Sequence, residues 1–90
     1  MNYTKMTLKI PMYTPEKGLR IEWEEKFSIK IAQENGCILL TANENGLISL
    51  AKLLLSIAEK NVPNHYHIHL DDTNSLEDGS LEIIIEKQNN

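Results

Sequence analysis

Apolar residues between Thr41 and Lys60 recur at helical steps. Leu47, Leu50, Ala51, Leu54 and Ala58 fall on one face, and Ile48, Leu55 and Ile57 widen it. Ser49, Lys52, Ser56, Glu59 and Lys60 are left as a narrow polar stripe. A helix this apolar needs a large surface to lie on. Thr41 and Glu44 have the spacing of a capping box, with Asn43 as an alternative cap. Pro63, in Asn61-Val62-Pro63-Asn64, forbids continuation at the other end.

The segments around this helix change period from helical to alternating. Met6, Leu8 and Ile10 alternate with Thr7 and Lys9, which predicts a half-buried strand from Lys5 to Pro11. Met12 to Gly18 reads as a loop. Leu19, Ile21, Trp23, Phe27, Ile29 and Ile31 are apolar at odd positions, too long a run for one strand. A bulge, bend or break is expected near Glu24-Glu25-Lys26. Asn35-Gly36 suits the positive φ angles of a two-residue type I′ turn. That turn sets a register in which Gln33 faces Ile38, Ile31 faces Leu40 and Ile29 faces Ala42. Phe27, Ile29, Ile31, Ile38 and Leu40 then share one face.

Beyond the helix, His65 to Leu70 reads as a strand with Tyr66, Ile68 and Leu70 inward and His65, His67 and His69 outward. Asp71 to Ser80 is a polar loop of turn formers. Leu81 to Lys87 predicts a last strand, with Glu82, Ile84 and Glu86 outward, and Gln88-Asn89-Asn90 a frayed tail. The expected fold is a single α+β domain. It is a two-layer sandwich: a mainly antiparallel sheet of about four to six strands with one long helix packed on one face.

Bulk properties narrow the partners. The 90 residues carry 9 basic and 13 acidic groups, a net charge of -4, which argues against nucleic acid. The imbalance lies after residue 30, so a basic partner would be drawn to that part. One cysteine, Cys37, excludes an intrachain disulfide and suits a reducing compartment. No secretory signal pattern and no run of ~20 apolar residues is visible, so the expected location is the cytoplasm, with no membrane partner.

His65-Tyr66-His67-Ile68-His69-Leu70-Asp71 is the one stretch that suggests metal or catalytic chemistry. Imidazoles two residues apart on a strand can share a zinc ion, whereas those four apart lie roughly 13 Å apart. A small metal-dependent enzyme using His67 and His69 would also need a carboxylate such as Glu82 or Glu86. The plainer reading is the polar side of an amphipathic strand, with no metal and no cofactor. The acidic loop (Asp71, Asp72, Glu77, Asp78) lacks EF-hand spacing. Ser80 lacks a nucleophile elbow, and Cys37 has no neighbouring base. Trp23 reads as a core anchor or a binding hot spot. Leu39, Ala32 and Ile84 place apolar groups on the outward sheet face, which suits a protein contact, a homodimer through that face, or coverage by residues 12–25.

Asn43, Gly46-Leu47, Leu50-Ala51, Leu54 and Ala58, then His67-Ile68-His69-Leu70-Asp71, Leu76, Gly79-Ser80 and Glu82, resemble the Immunity protein 32 family of bacterial polymorphic toxin systems. The resemblance spans roughly residues 36–87. It implies a non-enzymatic cytoplasmic protein that binds and neutralises a cognate toxin, and the acidic bias would fit a basic one. The expected partner-binding residues are His67, His69, Asp71, Asp72 and Glu82. A structural homodimer of unknown role is a further alternative.

Overall fold

The computed structural model describes residues 1–89. Its elements are β1 (Ile29–Glu34), β2 (Cys37–Ala42), α1 (Glu44–Ile57), β3 (His67–Leu70) and β4 (Ile83–Glu86). The fold is α+β with two small antiparallel sheets, β1–β2 and β3–β4, in place of the expected sandwich built on one larger sheet.

The first hairpin forms as its turn chemistry predicts. Asn35 (φ 49°) and Gly36 (φ 79°) supply the two left-handed positions. The register is Ile29–Ala42, Ile31–Leu40 and Gln33–Ile38. On its other side β1 is bridged to the segment entering β4: the Glu77 and Leu81 N–H groups donate to the Ile29 and Ile31 carbonyls, each at 2.9 Å. Those bonds stitch the two sheets together without a third ladder.

The N-terminal third departs from expectation. No strand forms over Lys5–Pro11, and Met6 is exposed. Alternation makes one face apolar but provides no partner for the main chain. Before Ile29, the one β contact among the described residues is the bridge Thr14–Gly18. The break at Glu25-Lys26 is a turn, with Lys26 at φ 54°. Residues 19–25 run beside α1 instead of joining a sheet. Leu19, Ile21 and Trp23 pack on the core, and Trp23 stacks on Phe27 with ring centres 4.7 Å apart.

The helix is rotated from the leucine-in orientation that its periodicity predicts. Its buried residues are Gly46, Ser49, Leu53, Ser56 and Ile57, while Leu47, Leu54 and Leu55 are about half exposed. Small residues fit this side because neighbouring chain lies close to it: Gly46 lies against Ser28 and Ile29, and Ser49 against Glu24. A Cβ on Gly46 would overlap the Ser28 carbonyl oxygen. The two serines remain satisfied inside: Ser49 Oγ donates to the Asn45 carbonyl and Ser56 Oγ to that of Lys52, both at 2.8 Å. Lys52 reaches Glu22 and Glu24 at 3.2 Å, which raises its pKa above the usual 10.5, the Glu24 hydrogen bond being the largest cause.

Asn43 is the cap, and Thr41 belongs to β2. Asn43 Oδ1 accepts from the N–H groups of Gly46 (2.7 Å) and Ser28 (3.0 Å), and its amide donates to the Lys26 carbonyl. At the far end, Lys87 Nζ donates to the Glu59 and Val62 carbonyls just beyond the helix. The core is Ile29, Ile31, Leu53, Leu70 and Leu76. Ile38 and Leu40 share the inward face of Ile31 but lie beyond this core and stay exposed.

Candidate functional site: the outer face of β3 and β4

Leu70 is buried in the core and Ile68 packs against it, so alternation turns His67 and His69 to the opposite face. The ladder sets His67 opposite Glu86 and His69 opposite Ile84. His65 and His69 are each within hydrogen-bond distance of a carboxylate: His65 Nδ1 lies 3.1 Å from Glu86 and His69 Nδ1 lies 3.0 Å from Glu82. The His67 and His69 rings meet edge to face at 5.3 Å. His67 Nδ1 is 3.1 Å from the His65 carbonyl, an acceptor, so Nδ1 carries the proton in that contact. Half-exposed Ile84 gives this polar surface an apolar centre.

The acidic loop joins the same end of the molecule and is built by its own carboxylates. Asp71 accepts from the Thr73 hydroxyl at 2.6 Å and the Thr73 N–H at 2.8 Å, while its carbonyl accepts from Leu76 N–H at 2.9 Å. The Thr73 hydroxyl is the main reason that the Asp71 carboxyl lies below its usual 3.8. Asn74 ties the loop to the strand by donating to the His69 carbonyl at 2.9 Å. Asp72 accepts from the Gly79 N–H at 3.1 Å. An open groove of about 830 Å³ lies between this loop and the hairpin, with Lys30, Thr41, Asn43, Glu77 and Asp78 in its lining.

His67, His69 and Glu82 therefore lie together on one exposed surface. Asp71 and Asp72 adjoin it, but with their carboxylates already engaged in holding the loop. His65, Glu86 and Ile84 extend the surface, and the alternation that placed His67 and His69 outward was the signal for them. Among the described residues, no group of three or more His, Cys, Asp or Glu side chains is arranged to hold a metal ion. No helix among them is long and apolar enough to cross a membrane.

The chain is thus a small α+β protein in which three histidines and two glutamates lie exposed on one face of a strand pair beside an acidic loop, a surface suited to contact with another molecule. The family described as Immunity protein 32 matches residues 38–88, more than half of the chain, so the chain belongs to that family. The matched region takes in most of β2, α1, the histidine strand, the acidic loop and β4. No curated protein and no solved structure matched the chain.

Proposed function

We propose that the protein is a non-catalytic, cytoplasmic immunity protein that neutralises a cognate toxin by direct protein–protein contact. The contact is the outer face of β3–β4 with the acidic loop, through His67, His69, Asp71, Asp72 and Glu82. One observation carries the reading: in an immunity-family chain, three imidazoles, two carboxylates and Ile84 lie exposed on one face of the β3–β4 pair. Ile84 supplies the apolar centre that slows release, and the surrounding charges supply orientation. The acidic excess after residue 30 favours a basic toxin by steering its approach.

Co-expression with a candidate toxin from a neighbouring gene tests this function. The expected result is restored growth and a purified complex of the two chains. Restored growth with the toxin recovered free and covalently altered would contradict neutralisation by contact and point to an enzyme.

A further inference from the structure

We propose that the free edge of β2 is a self-association site whose occupant is a second copy of this chain, added strand to strand. In a two-residue hairpin the closing pair Glu34–Cys37 exchanges main-chain hydrogen bonds, as do Ala32–Leu39 and Lys30–Thr41. The residues between them point the other way. On β1 these are Ile29 and Ile31, whose carbonyls accept from Glu77 and Leu81 while Ile31 N–H donates to Ser80 Oγ at 3.1 Å. On β2 they are Ile38 and Leu40. Their N–H and C=O groups face an edge along which the described residues place no strand.

The character of this edge selects its occupant. Main-chain groups presented at every second residue are matched by an extended strand. From Cys37 to Ala42 there is no charged residue and no proline, so the usual devices that keep edges apart are missing. Apolar side chains flank both faces: Ile38 (64 % exposed) and Leu40 (42 %) on the helix side, Leu39 (45 %) on the other. The outward main-chain groups of β3 belong instead to the polar His67 and His69.

Two copies of β2 complement each other about a two-fold axis through Leu39. Ile38 of each then exchanges main-chain bonds with Leu40 of the other, and Leu39 faces Leu39. Such a contact is isologous and closes at two copies. An uncharged edge gives no electrostatic preference for a basic toxin, whereas it meets its own copy without like-charge repulsion. The proposal uses strands other than the histidine face and stands independently of the toxin reading.

Sedimentation of the full chain over a concentration series, alone and as three variants, tests it. Leu40→Pro removes an outward N–H that β1 does not use, so it blocks addition while keeping the hairpin ladder. Ile38→Lys places a charge on the edge. In Cys37→Ser/Leu39→Cys, the two thiols would sit on Cα atoms about 4.5 Å apart, within reach of a disulfide. The wild type should sediment at twice the chain mass. The first two variants should sediment at one chain mass with unchanged far-UV circular dichroism, and the third should form a disulfide-linked dimer on oxidation. If Leu40→Pro unfolds, Ile38→Lys and the crosslink decide. A wild type that stays monomeric, a dimer that persists in the folded edge variants, or protection of this edge only by bound toxin would overturn the proposal.

Discussion

The Ser49 hydroxyl, fully buried, accepts the Glu24 N–H at 2.8 Å, and this bond fastens the strandless N-terminal segment to the helix. The same oxygen donates to the Asn45 carbonyl, so both of its roles are filled. Ser49→Ala would leave the Glu24 N–H without its acceptor in a part-buried site. The expected cost is about 1–3 kcal/mol. Thermal unfolding checks it, because each kcal/mol lowers the midpoint by roughly 4–8 °C in a domain of this size. A variant as stable as the wild type would mean that water replaces the serine without loss.

Two adjacent leucines test the rotation of the helix. Leu53 sits in the core beside Ile29 and Leu70, whereas Leu54 is half exposed. Leu53→Ala should cost about 2–5 kcal/mol through lost burial and a cavity. Leu54→Ala should cost about 1 kcal/mol or less, part of its lost burial being offset by the better helix propensity of alanine. Urea unfolding of both variants gives the comparison. Equal losses would place the leucine face, not the serine face, against the sheet.

That rotation marks where the sequence was legible and where it was not. Asn35-Gly36 has one favoured turn, and a two-residue turn leaves a single register, so every pair from Ile29–Ala42 to Gln33–Ile38 could be written down beforehand. The helix was equally visible, but its apolar residues cover more surface than the core can use. Periodicity ranks faces by hydrophobicity, whereas packing here selected the face whose small residues, Gly46, Ser49 and Ser56, permit close approach. Met6, Leu8 and Ile10 alternate as a strand does, yet alternation cannot show whether a partner exists. Of the candidate site, the outward histidines were readable from Ile68 and Leu70. The engagement of Asp71 by Thr73 depends on loop geometry that composition does not encode.

That engagement gives the loop a pH dependence of known sign. The folded Asp71 carboxyl lies below its ordinary 3.8, chiefly because the Thr73 hydroxyl bonds the charged form. A group lowered on folding contributes stability that is complete above 3.8 and is lost as the pH falls through the folded value. Amide signals of Thr73 and Asn74, followed by NMR during acidification, should shift together at that lower pH. In Asp71→Asn that transition should be absent. Its persistence in the variant would assign it to another carboxylate.

His67 offers the cleanest access to the proposed binding face, since among its five residues it alone is hydrogen-bonded neither to the loop nor to another of the five. The most direct measurement is calorimetric titration of the cognate toxin into wild type and into His67→Ala, His69→Ala and Asp72→Ala, each shown to be folded by circular dichroism. The expected result is at least a tenfold weaker affinity for His67→Ala, equivalent to about 1.4 kcal/mol at the interface, with losses in the same direction for the other two. Wild-type affinity in all three folded variants would contradict it and move the toxin contact away from the outer face of β3 and β4.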